Sequence, residues 1–304
     1  MHYTLIKLFN NTNNCKQQLT LLRTIGRGVS STIWTIREDS RLVVKVFHDT
    51  EDYLDETRIV MRIVERSTSH CFYGLVTSRD SGLSGILMTY FKGGGVCMGY
   101  RMRRVGEYTC ARFMRTLLIQ LRDIHAMGIV HNDIKVNNIV IDHHTSTPVL
   151  IDYSHSVLTG KNSSYYGKEH MVRCGNYSVQ APEVLLMVEK FHKQIFNDAF
   201  GEKLCYTQRA DMFSLGCTLY CMLCGHYPFG LFKSTIENIP LIRDIIHDGA
   251  YASRRPFIEL HPITKDFIQR LLQWDRRKRM GTTEALSHPY ILQLTVCAEI
   301  HARE

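Results

Sequence analysis

The sequence predicts an α+β chain, with a small β-rich part followed by a larger helical part. Three observations carry this. Residues 20–47 hold runs rich in β-branched and aromatic residues, punctuated by Gly26, Gly28 and Asp39-Ser40. Residues 113–124 place Phe113, Leu117, Leu121 and Ile124 on one apolar stripe at helical spacing. The polar and Gly-rich stretch Gly93-Gly94-Gly95 separates the two textures.

The elements follow in order. After the short polar turn Asn10-Asn11-Thr12-Asn13-Asn14, strands are expected at 19–22, 31–36 and 41–47. A helix follows, because Leu54, Arg58, Ile59, Arg62 and Ile63 recur at three- and four-residue steps. Two further strand-like runs lie at 72–76 and 85–90. The helix of residues 113–124 ends near Gly128. Beyond it, residues 139–151 form two apolar runs around a polar, Pro-containing turn, the pattern of a strand-turn-strand unit.

Composition narrows the class. The 304 residues are 44% hydrophobic, enough for a sizeable core in one bilobed unit or two domains. No apolar run approaches the ~18 residues a membrane span needs. Met1 to Lys7 leads into no long apolar stretch, so no secretory signal is expected. The ten cysteines sit singly, which suggests reduced thiols and an intracellular protein of cytoplasm or nucleus. Cys221-Met222-Leu223-Cys224 spells C-x-x-C, but its apolar neighbours read as a buried helix. Net charge is +8, with basic clusters at Arg101–Arg104 and Arg276–Arg279, read mostly as solvated surface. No aromatic-interleaved basic stripe or finger spacing marks a dedicated nucleic-acid module. Oligomeric state is not legible.

The chemistry lies in His131-Asn132-Asp133-Ile134-Lys135-Val136-Asn137-Asn138 and, after the expected hairpin, Asp152-Tyr153-Ser154. An Asp, a Lys two on, an Asn five on and a second Asp beyond a hairpin form a phosphoryl-transfer set. One carboxylate takes the acceptor hydroxyl's proton, the Lys faces the moving phosphate, and the Asn and second Asp hold Mg²⁺. The hairpin brings Asn138 and Asp152 side by side.

These residues resemble the HRDxKxxN and DFG loops of the eukaryotic protein kinases. The resemblance runs from about Leu19 to Tyr290. It implies a two-lobed protein kinase fold over 19–290, with a small lobe to about 90, a linker near Tyr90 to Gly95 and a helical lobe from about 91. Residues 1–18 would be an extension and 291–304 a tail. Gly26-Arg27-Gly28-Val29-Ser30-Ser31-Thr32-Ile33 resembles the family's GxGxxGxV phosphate loop, with Ser31 for the third Gly. Lys45 lies 17 residues beyond Gly28, in a strand resembling V-A-I-K, and would orient the ATP phosphates. Its helix partner is Glu56, 11 residues on with the better local pattern, or Glu65, 20 on; Glu56 is preferred. Met88 and Tyr90 resemble the hinge that holds adenine, sandwiched by Val43 and Val140.

Three features point to protein rather than small-molecule substrates. Ala181-Pro182-Glu183 resembles APE, Asp211-Met212-Phe213-Ser214-Leu215-Gly216 resembles DxWSxG, and Arg279 follows Asp275 as in DPxxR, where it pairs with Glu183. Lys135 favours Ser/Thr over Tyr acceptors. The resemblance thus implies an ATP- and Mg²⁺-dependent Ser/Thr protein kinase acting on protein substrates, with a weakly catalytic pseudokinase as the alternative. Departures are Asn132 for the HRD Arg, Tyr153 and Ser154 for Phe and Gly of DFG, and Asn176 where Thr is common. Between Glu183 and Asp211 lie 27 residues, about 15 more than the usual ~12. Such divergence around a kept catalytic set is similar to that of large DNA virus kinases.

Overall fold

A computed structural model describes residues 2–8, 18–66, 71–78, 81–92, 105–142, 144–159, 175–193, 207–230 and 235–292. The Gly93–Gly95 linker, the Arg101–Arg104 cluster and residues 194–206 of the Glu183–Asp211 spacer lie outside them. The chain divides into two compact units, Met1–Lys92 and Gly93–Glu304.

In the first unit six strands close into a barrel in the order β1-β2-β3-β4-β6-β5. They are β1 (His2–Leu8), β2 (Gln18–Arg27), β3 (Ser31–Ile36), β4 (Leu42–Phe47), β5 (Phe72–Thr77) and β6 (Ser84–Thr89). Every pairing is antiparallel. The sequence reading had no strand in residues 2–8, yet β1 closes the barrel by pairing with both β2 and β5.

Leu19, Leu21, Ile36, Val44, Val46, Val76 and Leu87 fill the barrel core. β4 is buried along both faces. Val44 and Val46 join that core, while the alternate residues Lys45 and Phe47 meet α1 (Thr50–Arg66), which packs on β4 and β6. Asp49 caps α1 by accepting a bond from the Asp52 backbone N–H (2.8 Å). Tyr53, Glu56, Ile59, Val60 and Ile63 form its buried face.

In the second unit, α2 (Glu107–Ala126) buries Phe113, Leu117, Leu121 and Ile124 as its period requires. α4 (Gln208–Cys224) is buried almost all round, so it reads as a central core helix. The other helices are α3 (Pro182–His192), α5 (Ile239–Asp248), α6 (Arg255–Ile258), α7 (Pro262–Leu271) and α8 (Thr282–Leu286). α4 packs on α2, α6 and α7, and α2 also packs on α8. Cys217, Cys221 and Cys224 are free thiols of α4, and burial pushes the Cys217 thiol well above its ordinary value. No described helix is long and apolar enough to cross a membrane.

Candidate active site

Two short strand pairs set the geometry of the second unit's loops. β7 (Ile129–Val130) pairs with β10 (Val157–Leu158), joining Val130 to Val157. β8 (Ile139–Asp142) pairs with β9 (Thr147–Leu150), joining Ile139 to Leu150. The loops 131–138 and 151–156 are therefore pinned at both ends and run side by side. Gln120 of α2 anchors the hairpin, donating to the Pro148 carbonyl (2.7 Å) and accepting from the Leu150 N–H (3.0 Å). The Ile151 N–H donates to the Asn138 carbonyl (2.9 Å), so Asp152 follows directly on a residue bonded to Asn138.

Asp133 is almost wholly buried. Its Oδ2 accepts from Lys135 Nζ (2.7 Å) and Asn138 Nδ2 (2.8 Å), and Asn138 Nδ2 also donates to the Asp133 carbonyl (2.9 Å). Oδ1 has no hydrogen-bond partner among the described residues. Gly175 presses against it: a Cβ there would stand 1.8 Å from Oδ1, so only glycine fits. His155 Nδ1 lies 3.8 Å from Asp133 Oδ2. Sequence reasoning missed His155 and Gly175, because neither stands in the quoted motifs and only the fold brings them to Asp133.

The loop's backbone hangs on Asp211 at the start of α4. Its Oδ2 accepts from the His131 N–H and its Oδ1 from the Asn132 N–H, both at 2.8 Å. His125 Nε2 lies 2.8 Å from the same Oδ2, and since a carboxylate only accepts, that ring nitrogen carries the proton. Gln180 donates to the Asn132 carbonyl (2.9 Å). His131 donates from Nε2 to the Ile151 carbonyl (3.3 Å), and its Nδ1 accepts the Asp133 N–H (3.3 Å). Those bonds require the neutral ring. Burial pushes the His131 pKa below its ordinary value, against the nearby Asp211, Asp133 and Asp152 carboxylates. Tyr153, in the DFG Phe position, is buried with its ring 4.9 Å from the His131 ring.

One sequence expectation changes. With Ser154 in the DFG Gly position, the sequence alone implies a backbone that has lost glycine's easy access to positive φ there. Among the described non-glycine residues, positive φ falls on Asn132 (63°), Ser146 (53°) and Asp152 (68°), so position 154 does not need glycine here.

Glu183 and Arg279 meet as a fork, NH1 to Oε1 at 2.7 Å and NH2 to Oε2 at 3.1 Å. The Arg279 side chain is fully buried and also donates to the Arg209, Gln273 and Trp274 carbonyls, with its guanidinium 5.0 Å from the Phe213 ring centre. This position of the basic 276–279 cluster is therefore core, not surface.

In the first unit, Lys45 Nζ donates to both Glu56 oxygens (2.9 and 2.6 Å), and both side chains are buried. Glu65 sits exposed near the end of α1. Gly26 to Ile33 spans the end of β2, a turn closed by the Gly28 N–H to Ser31 carbonyl bond (2.8 Å), and the start of β3. Val43 lies opposite Met88 on β4 and β6, and both are buried. The Tyr90 N–H is taken by the Arg41 carbonyl (2.7 Å). Val140 is buried on β8 of the second unit.

Residues 19–291 match the model of the protein kinase domain. A stretch of 192 residues, 62% of the chain, is 33% identical to Serine/threonine-protein kinase RAD53 of Saccharomyces cerevisiae and covers 21% of it. CDPK-related kinase 5 of Arabidopsis thaliana is 28% identical over 79% of the chain and 36% of its own length. Serine/threonine-protein kinase H1 of Homo sapiens is 27% identical over 64% of the chain and 41% of its length. The chain thus spans about a fifth to two fifths of these relatives.

Proposed function

This chain belongs to the protein kinase family, and on that premise we propose that it transfers the γ-phosphate of ATP to Ser and Thr hydroxyls of proteins. The observation that carries the reading is the treatment of one carboxylate. Lys135 and Asn138 converge on Asp133 Oδ2 and fix its plane, while Oδ1 keeps its lone pairs. A buried, oriented carboxylate with one uncommitted oxygen suits a group that positions an acceptor hydroxyl and takes its proton.

The residues present fit a magnesium nucleotide. The Asn138 amide nitrogen is spent on Asp133, which leaves its oxygen as the acceptor. That oxygen and the Asp152 carboxylate suit Mg²⁺, which is commonly held by one or two protein oxygens plus substrate phosphates. The metal would neutralise charge on the phosphates. Lys45, held by Glu56, would orient them, and the amides of Gly26 to Ile33 would cradle them. Lys135 would stabilise the phosphoryl group in transfer. Met88 and Tyr90 would border the adenine, with Val43 and Val140 on its faces, and Glu183, Asp211 and Arg279 would support the scaffold.

The same proposal takes residues 19–290 as the kinase domain, with a small lobe to about 90 and a larger one beyond. It places the protein inside the cell, in cytoplasm or nucleus, in keeping with the free described cysteines. Protein substrates are the expected partners, without a nucleic-acid module. The substitutions at 132, 153 and 154 support an origin among large DNA viruses.

A second reading, a pseudokinase acting as a binding module, draws on the near-complete burial of Asp133. Purified chain, Mg²⁺-ATP and a protein panel separate the two. The kinase reading expects transfer that Asp133→Asn removes while ATP still binds, and that Asp152→Asn abolishes with its Mg²⁺ dependence. Wild-type protein that modifies no substrate, or an equally active Asp133→Asn, would hand the case to the pseudokinase.

A further inference from the structure

The turn between β2 and β3 is held by a residue outside it. His48, three residues beyond Lys45, makes two contacts with the turn and one with the start of β3, each at 2.9 Å. Its backbone N–H donates to the Ser30 carbonyl, its Nδ1 bonds the Val29 carbonyl, and its Nε2 meets Thr32 Oγ1. A carbonyl can only accept, so Nδ1 carries the proton and, in the neutral ring, Nε2 accepts from the Thr32 hydroxyl.

The effect of this clamp follows from peptide geometry. In a planar trans peptide the C=O and N–H point in opposite directions. The Val29 carbonyl shares its plane with the Ser30 N–H, and the Ser30 carbonyl shares the next plane with the Ser31 N–H. Drawing both carbonyls onto His48 turns both N–H groups the other way. Two successive amides pointing away from the clamp form an anion-binding concavity. This is the stretch where the glycine-rich pattern lapses, since Ser31 stands in the third Gly position.

We propose that His48 is a positioning residue for nucleotide binding: it presets the Ser30 and Ser31 amides toward the phosphates, replacing by tethering what a third glycine supplies by freedom. This rests on the kinase reading above. A pre-set loop raises apparent affinity because less of the population lies outside the binding-competent form. The backbone bond to Ser30 survives any change of side chain; losing one of the two imidazole bonds is worth about fivefold, and losing both about thirtyfold.

The test reads the nucleotide-free protein and its kinetics together. His48→Ala should lower the backbone order parameter of the Ser30 amide in the nucleotide-free protein, leave Ser31, still held through the residue 48 backbone N–H, nearer wild type, and raise KM for ATP by about five- to thirtyfold with kcat within about twofold. His48→Gln should recover part of both effects. Thr32→Val should give a smaller rise and add almost nothing on top of His48→Ala, since the two groups share one bond. If His48→Ala does not fold, His48→Gln and Thr32→Val carry the same two readouts. An unchanged order parameter at Ser30, or a loss falling on kcat with KM unmoved, overturns the clamp. A wild-type protein that binds no ATP sinks the kinase reading alone, because the order-parameter result stands without nucleotide.

Discussion

Glu56→Gln is the sharpest single perturbation of the first unit. It keeps the side chain's shape and one acceptor oxygen but removes the charge that faces Lys45. The Lys45 side chain is 7% exposed and that of Glu56 3%, so the ammonium has almost no access to water. Removing one partner of a buried pair costs about 3–5 kcal/mol, chiefly from the charge left behind. Here the remaining amide oxygen and the Phe47 ring, 5.3 Å from Nζ, soften the loss, which puts the expectation near ~3 kcal/mol. Glu65→Gln, on an exposed turn, should stay within about 0.5 kcal/mol. Urea unfolding followed by far-UV circular dichroism measures both. A Lys45→Met/Glu56→Leu double variant should recover most of the stability, since matched apolar replacement of a buried pair is often neutral. Phosphotransfer should not return with it. In kcat/KM, Glu56→Gln should fall by about a hundredfold if the full ~3 kcal/mol is felt in the transition state. Equal behaviour of Glu56→Gln and Glu65→Gln in both assays would refute the reasoning.

Four further outcomes are expected. Gly175→Ala forces the Asp133 carboxylate aside and should lower kcat by about a hundredfold while ATP affinity holds; wild-type turnover would show that Gly175 does not abut Asp133. Asn132 offers no guanidinium to a phosphate on exposed Thr159 or on Ser163, Ser164, Tyr165 and Tyr166, which lie outside the described residues. Phosphatase treatment should therefore leave activity unchanged, and activity restored only by rephosphorylation would contradict this. Glu183→Gln strands the fully buried Arg279 and should cost about 3 kcal/mol in urea unfolding, with a loss under about 1 kcal/mol counting against it. The His131 pKa is lowered in the fold, so the unfolded chain binds that proton more readily. Stability should fall as pH drops below the ordinary histidine value of 6.5, and His131→Asn should flatten that slope in pH-dependent melts.

What the sequence made legible was periodic or motif-bound. β3 and β4 were readable because β-branched runs ended at Gly and Asp-Ser turns, and α2 because its apolar stripe never broke. The octapeptide of residues 131–138 and Asp152 stood out because phosphoryl transfer would use those groups at that spacing. β1 escaped because its value lies in whom it pairs with: seven residues that join β2 and β5 carry no local mark of closing a barrel. Glu56 and Glu65 both looked possible as partners of Lys45. Burial separates them, and burial comes from which face of α1 meets β4.

The departures from the family pattern become intelligible at the same level. Two residues of the paired loops hold positive φ without being glycine, Asn132 and Asp152. Each such position costs on the order of 1–3 kcal/mol unless the surroundings over-determine it. At Asn132 they do: Asp211 takes its N–H, Gln180 donates to its carbonyl, and its neighbour His131 is tied to Asp211 and Ile151. Asn also tolerates the left-handed region better than Arg. Losing the HRD arginine thus relieves backbone strain while removing the group that would read a phosphate. At Asp152 the neighbouring Ile151 is bonded to Asn138 through its N–H and to His131 through its carbonyl, so the turn is fixed before residue 152 begins. With the left-handed residue at 152 rather than 154, Ser in place of Gly costs the backbone little. The substitutions that look like decay in the sequence fall where the surrounding hydrogen bonds already determine the loop, and the groups that would carry proton, metal and phosphate are the ones left in place.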